Sequence, residues 1–165
     1  MWADLGCGSG AFTLALADLL GGRATVHAVD RDATALRRLA SFAAAHTAAI
    51  TVYEADFTEP LDLPPLDGIL MANALHFVAR RRQQDLLEKI RPMLRPGGTL
   101  IVVEYDLSRG NPWVPHPVPA ERWPDLARSA GFRAPYMAAH VPSSYWGRVY
   151  AARCRRAHDE PETES

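Results

Sequence analysis

The stretch Asp4-Leu5-Gly6-Cys7-Gly8-Ser9-Gly10 decides the fold of this chain. Glycine recurs at every second position, directly after a short strand-like lead-in from Trp2 to Leu5. Such a turn lets the backbone approach a ligand and lets the helix that follows pack close to the strand. An acid, Asp30, ends the run Ala24-Thr25-Val26-His27-Ala28-Val29. It stands roughly twenty residues past Gly10, the spacing at which a βαβ unit presents a carboxylate to ribose hydroxyls. The spacing alone leaves open whether the cofactor is a dinucleotide or another adenosine compound.

Outward from that turn, strand-like and helix-like runs alternate, the pattern of a layered α/β sheet. A helix rich in Ala and Leu is predicted from Ala11 to Leu20, stopped by Gly21-Gly22. Further strands are predicted at Thr25–Val29, Ala49–Glu54, Gly68–Ala72 and Thr99–Tyr105, with helices at Ala33–His46 and Arg80–Met93. The fifth strand is a continuous apolar run of the kind buried on both faces. Beyond it the proline-rich segment Asn111–Pro119 reads as a loop, and a helix begins at Pro119-Ala120-Glu121 and ends near Gly131. Phe132–Val141 and Gly147–Cys154 read as a closing antiparallel pair joined by a turn. The expected organisation is one domain over 1–155 and a disordered polar tail over 156–165.

A length of 165 residues, 48% hydrophobic and 22% charged, suits a soluble globular domain with a two-sided core. The net charge of -1 supplies no general field for a nucleic-acid backbone. Arg80-Arg81-Arg82, the one dense basic run, reads as the solvated start of a helix. Cys7 and Cys154 are too few and too far apart for a metal cluster or a disulfide framework, so no metal is expected. No apolar stretch approaches the roughly 18 to 20 residues of a membrane-spanning helix. No basic-then-apolar signal pattern opens the chain, and the expected compartment is the cytoplasm.

Five segments resemble, in family order, the motifs of class I S-adenosylmethionine-dependent methyltransferases. They are Asp4 to Gly10, Val29-Asp30-Arg31-Asp32, Glu54-Ala55-Asp56-Phe57, Met71 to Phe77, and Leu94-Arg95-Pro96-Gly97-Gly98-Thr99-Leu100. The resemblance implies a Rossmann-like seven-stranded mixed sheet of order 3-2-1-4-5-7-6 with helices on both faces. It implies S-adenosyl-L-methionine as cofactor. Asp4 would then lie near the methionine amino group, often through water, with Gly6, Cys7, Gly8 and Gly10 forming the turn against the methionine moiety. Asp30 would accept the ribose hydroxyls, and Asp56 the adenine amino group, with Phe57 as an apolar neighbour of the ring. Asn73, in the fourth-strand motif, would also be a cofactor-binding residue. Arg31 departs from the family, which places an apolar residue there; a guanidinium plane also stacks on a base.

His76 follows the fourth strand, close to the expected position of the transferring methyl, and a neutral imidazole accepts a proton near pH 7. It is the candidate catalytic base, with a structural or pocket-lining histidine as the alternative. Glu104, Tyr105 and Asp106 fall at the carboxyl end of the fifth strand, the ligand side of an open α/β sheet, although at least one must point away. Trp113, Tyr145 and Trp146 are candidates for an aromatic lid or for loop packing.

Asn73 is not followed by the Pro-Pro-aromatic run of the family's amino-methylating nucleic-acid enzymes. With the near-neutral charge, this favours a small organic acceptor over nucleic acid, and no membrane partner. The alternatives are a non-catalytic or partner-dependent methyltransferase-like binding module, a superfamily enzyme acting on protein or nucleic acid, and, from spacing alone, an NAD-dependent dehydrogenase. Only Met1 precedes Trp2, where the family carries covering helices. Apolar surface near Trp2 and the first helix is therefore expected to be exposed, favouring a homodimer or weak cofactor binding.

Overall fold

The computed structural model describes residues 1–43, 46 and 48–158. β1 (Trp2–Leu5) leads into α1 (Ala11–Leu20), β2 (Thr25–Asp30), α2 (Ala33–Ala43), β3 (Ala49–Glu54) and β4 (Leu66–Ala72). Then come α3 (Gln83–Ile90), β5 (Leu94–Tyr105), α4 (Trp123–Ser129), β6 (Phe132–Pro142) and β7 (Arg148–Arg156). The seven strands form one sheet in the order β3-β2-β1-β4-β5-β7-β6. The first five are parallel, and β7 runs antiparallel to both β5 and β6. This is the topology implied by the five sequence motifs.

Alternation along the strands divides the core between the two faces. In β4, Ile69 and Met71 join Ala3, Leu5, Leu100 and Val102 on one face, under Leu86, Leu87 and Ile90 of α3 and Trp123 and Leu126 of α4. Leu70 and Ala72 point the other way, to Leu16 and Ala17 of α1 with Val26 and Val103. Leu36 and Leu39 of α2 pack with Ala28 on that second side. Burial on both faces explains why four residues suffice for β1: Ala3 and Leu5 are buried on one face and Asp4 on the other, and hydrogen bonds to β2 and β4 flank them. Truncating a fully buried Leu87 to Ala would cost about 2 to 5 kcal/mol.

Several boundaries differ from the sequence expectation, each for a local reason. α2 ends at Ala43 rather than His46; residues 44, 45 and 47 lie outside the described residues. The predicted helix Arg80–Met93 is α3 flanked by 3-10 turns at Arg80–Arg82 and Arg91–Met93, where Pro92 lacks the N–H an α-turn needs. β4 starts at Leu66 and β5 at Leu94, with the Arg95-Pro96-Gly97-Gly98 run carried as a bulge: Leu66 pairs with Leu94, and Gly68 already with Thr99. The helix expected from Pro119 begins at Trp123, after a turn in which Arg122 N–H donates to the Pro119 carbonyl at 2.9 Å. Arg156 closes β7 instead of opening the polar tail, and its guanidinium donates to the carbonyls of Pro92 (3.1 Å) and Leu94 (2.6 Å). Residues 159–165 lie outside the described residues.

Trp2 is not the exposed flank expected of it. Its ring lies across Gly68, where an added Cβ would sit 2.4 Å from the indole. The exposed apolar residues here are Leu19 (85%) and Phe12 (40%) of α1 and Met1 (36%). Among the described residues no helix is long and apolar enough to cross a membrane.

Candidate active site

The glycine turn is a sterically enforced cradle. Gly6, Gly8 and Gly10 have φ of 80°, 52° and 87°, conformations that side-chain-bearing residues adopt only under strain. A Cβ on Gly6 would lie 2.6 Å from the Cβ of Ala74 and 3.1 Å from the Phe57 ring, closing the space between β1 and β4. One on Gly10 would strike Leu39 at 2.3 Å, so this glycine seats α1 against α2, whereas Gly8 faces open space. The N–H groups of Gly6 and Cys7 donate to the Val29 carbonyl at 2.8 and 3.1 Å, fastening the turn to the end of β2. α1 then starts at Gly10 with no side-chain cap and no acid in its first turn, an end suited to an anion. Burial, then the charges of Asp4 and Asp30, push the Cys7 thiol up to about 12, so it sits in the turn as a neutral small side chain.

Three carboxylates surround this cradle in three different states. Asp30 is clamped in place: Oδ2 accepts the Gly8 N–H at 2.7 Å and Oδ1 the Asp32 N–H at 2.8 Å. Each oxygen keeps acceptor capacity for one further donor. Asp56 turns Oδ1 to the Thr58 hydroxyl (2.7 Å) and N–H (2.8 Å), which hold it below the usual carboxylate range. Its Oδ2 makes neither of these bonds. Asp4 is 1% exposed; Oδ2 accepts the Thr13 hydroxyl at 2.6 Å, while Oδ1 is buried without a partner. Burial raises its pKa to about 6, against the Thr13 hydrogen bond and helped by the nearby Asp30 charge.

These elements enclose a cavity of about 690 Å3 lined by Gly6, Cys7, Gly8, Asp30, Arg31, Asp56, Phe57 and Asn73, eight of the residues expected at the site. Asp4 and Gly10 stand behind the wall rather than in it. Asn73 takes a positive φ of 53° at the end of β4, donates its N–H to the Val103 carbonyl at 2.8 Å, and buries an unpartnered Oδ1. Phe12, Phe77, Arg82, Asp85 and Lys89 also line the cavity, and the sequence assigns none of them to the site. Arg82, Asp85 and Lys89 come from α3 and the turn before it, where the wet side of an amphipathic helix meets a cleft instead of bulk water. Only the docking of α3 on the sheet reveals that.

His76, the candidate base, is also set away from the cavity wall. It is 2% exposed, and its Nδ1 meets Oε2 of the fully buried Glu104 at 2.5 Å. Oε1 of Glu104 accepts the backbone N–H groups of Leu75 (2.8 Å) and His76 (3.2 Å). Of the three residues at the end of β5, Glu104 is thus the one turned inward, tying β5 to the segment after β4. Asp106, just past the strand, accepts the Ala120 N–H at 2.9 Å and pairs with His140 Nε2 at 2.9 Å.

The orphaned oxygens of Asp4 and Asn73, the cradle that a Cβ would fill and the clamped Asp30 fit a ligand carrying an ammonium, a carboxylate and a vicinal diol. Solved structures with this fold carry related chemistry. A SAM-dependent methyltransferase from Methanosarcina mazei is 17% identical with a TM-score of 0.72, over 96% of this chain and 92% of that one. The 1,6-didemethyltoxoflavin-N1-methyltransferase of Burkholderia thailandensis, with its substrate and S-adenosylhomocysteine bound, is 21% identical with a TM-score of 0.78, over 94% and 70%. An arsenic(III) S-adenosylmethionine methyltransferase of Chlamydomonas reinhardtii is 18% identical with a TM-score of 0.74, and this chain spans 65% of its length. No curated protein matches the chain. A family model described as a methyltransferase domain matches residues 3–98, more than half the sequence, and this chain therefore belongs to the methyltransferase domain family.

Proposed function

We propose that this chain binds S-adenosylmethionine in the cavity at the carboxyl ends of β1, β2 and β4 and methylates a small organic acceptor. Asp30 carries the reading. Two backbone N–H groups fix its carboxylate, leaving one acceptor position on each oxygen for a ribose diol. Asp56 takes the adenine amino group on Oδ2, with Arg31 and Phe57 beside the ring. Asp4, behind the cavity wall, acts on the methionine ammonium through water from its unpartnered Oδ1, and the uncapped start of α1 faces the methionine carboxylate. The bound cofactor supplies an electrophilic sulfonium methyl for in-line displacement. The protein's share is to hold donor and acceptor aligned and to exclude water, which makes orientation the chief lever.

In this reading His76 is the base, with Glu104 on Nδ1 fixing the ring so that Nε2 takes the acceptor proton. The near-complete burial of His76 favours a second reading, a binding module without turnover. Calorimetric titration with S-adenosylhomocysteine, on the wild type and Asp30→Ala, tests the shared part: absence of binding overturns both. Release of S-adenosylhomocysteine from S-adenosylmethionine across phenol, amine and thiol acceptors separates them, and binding with no release selects the module. Assembly as a homodimer, expected from an exposed apolar flank, would use Leu19 and Phe12 of α1. Light scattering that returns a monodisperse monomer overturns that assignment.

A further inference from the structure

Beside the cofactor cavity, the same edge of the sheet carries a group of aromatic rings. Tyr105 closes β5, Trp113 lies in the loop that follows, and Tyr145 and Trp146 form the turn between β6 and β7. Because β7 is antiparallel to β5, with Tyr105 opposite Val149, that turn reaches the edge on which the glycine turn also lies. Trp113 and Trp146 stack with centroids 5.4 Å apart and planes 27° from parallel. Tyr145 adds a third plate 6.0 Å from Trp146 at 39°, and Tyr105 meets Trp146 edge-on at 5.5 Å and 74°.

Rings recruited only to pack would be covered. Here Trp113 is 63% exposed and Tyr145 77%. The group connects to the cavity through ring contacts: Tyr105 lies 6.5 Å from His76, and His76 4.4 Å from Phe77, a cavity-wall residue. Hydrogen bonds anchor the Trp113 loop beneath it. His116, in the Trp113 loop, donates its N–H to the His76 carbonyl at 3.0 Å, and Gln83 Nε2 bridges the carbonyls of Val78 (3.1 Å) and His116 (2.8 Å).

We propose that this aromatic shelf is the acceptor subsite and takes a planar aromatic acceptor, laid against the exposed rings of Trp113 and Tyr145. The Trp113 ring, near-parallel to Trp146, and the tilted Tyr145 ring present flat faces, to which another ring stacks with offset geometry. A quaternary ammonium would need rings on several sides of one point, and only the half-buried Tyr105 stands edge-on here. The shelf's part in methyl transfer rests on the function proposed above; its binding of a flat ring does not require the cofactor.

The test uses the full chain without cofactor and 1-naphthol as the probe, read by saturation-transfer NMR and titration. Saturable binding of 1-naphthol is expected, with decahydro-1-naphthol, the same skeleton without the π-system, about tenfold weaker. Trp113→Ala and Tyr145→Ala should each weaken 1-naphthol several-fold. Tyr136→Ala, which removes an exposed ring on β6, should leave it unchanged. Equal binding of the saturated analogue, no effect of either shelf variant, or binding of tetramethylammonium in place of 1-naphthol overturns the proposal. Titration of the same preparation with S-adenosylhomocysteine keeps the two claims apart. Failure there removes the cofactor reading and leaves the shelf standing, while failure with 1-naphthol alone removes the shelf.

Discussion

The two halves of the ligand edge are made in different ways. From β1 to β2 the site is mainly backbone: three positive-φ glycines, an uncapped helix start, and a carboxylate clamped by two N–H groups. From β4 to β7 it is mainly side chain: a buried His76–Glu104 pair, an Asp106–His140 pair and a stack of rings. A backbone cradle can bind one constant ligand, because few residue types satisfy its conformations. A wall of side chains can be replaced piece by piece while the strands behind it stay put. The contrast teaches that the constant part of the chemistry sits where the sequence has least freedom. Under the proposed function, the acceptor falls where it has most.

The largest expected effect should fall on stability in the side-chain half. Glu104→Ala strips the acceptor from His76 Nδ1 and from the Leu75 and His76 N–H groups, all buried. Removing one partner of such a group costs about 3 to 5 kcal/mol. Chemical denaturation would show it as a lowered midpoint, and a loss below about 1 kcal/mol would mean that solvent or a neighbour replaces the carboxylate.

The backbone half should answer in the opposite manner, losing binding and keeping its fold. Asp30→Ala is expected to weaken S-adenosylhomocysteine by about 2 to 4 kcal/mol, counting the donors left unpaired, with little change in the denaturation midpoint. Unchanged affinity in the calorimeter would refute the ribose role. A collapse of stability would erase the contrast between the halves.

That contrast also explains what the sequence made legible. Gly6, Gly8, Gly10 and Asp30 could be read because their work depends on φ and on spacing, both local properties. The sheet order was implied by the family resemblance that five motifs in sequence carry. Trp113 and Trp146 are 33 positions apart, and nothing local says that their rings will stack. His76 marks the boundary. Its place after β4 was readable, but its partner was not, because only the parallel pairing of β4 with β5 brings Glu104 to it. Arg82 and Lys89 were hidden for the same reason: an exposed helix face and a cleft wall have the same composition.

Asp4 offers a pH test that belongs to the backbone half. Its folded-state pKa of about 6 lies above the ordinary value of 3.8, so the folded chain holds this proton more tightly than the unfolded one. Its contribution to stability is therefore full below 3.8 and is lost as pH rises through about 6. The change amounts to on the order of 2 to 3 kcal/mol. Asp4→Asn should flatten this part of the stability profile. Cofactor affinity should run the other way, rising by about three- to tenfold between pH 5 and 7 as Asp4 ionises and attracts the ammonium. A pH-independent affinity in the wild type would break the link between Asp4 and the amino group.

The smallest effect is expected at Arg31, and it sharpens the comparison because it is a side-chain feature inside the backbone half. Arg31 lines the cavity one residue past Asp30, and its charge helps to hold Asp56 ionised. If the guanidinium stacks on adenine, Arg31→Ala should weaken S-adenosylhomocysteine by about two- to fivefold, the range for an exposed cation–π contact. Arg31→Leu should recover most of that loss, since an aliphatic side chain covers the same ring face. If the charge acts through Asp56 instead, both variants weaken binding equally, and the deficit grows as pH is lowered toward the carboxylate range. Calorimetry on the two variants at pH 7 and pH 5 distinguishes a stacked plane from a distant charge. Affinity unchanged in both would leave Arg31 as a bystander and the adenine to Asp56 and Phe57.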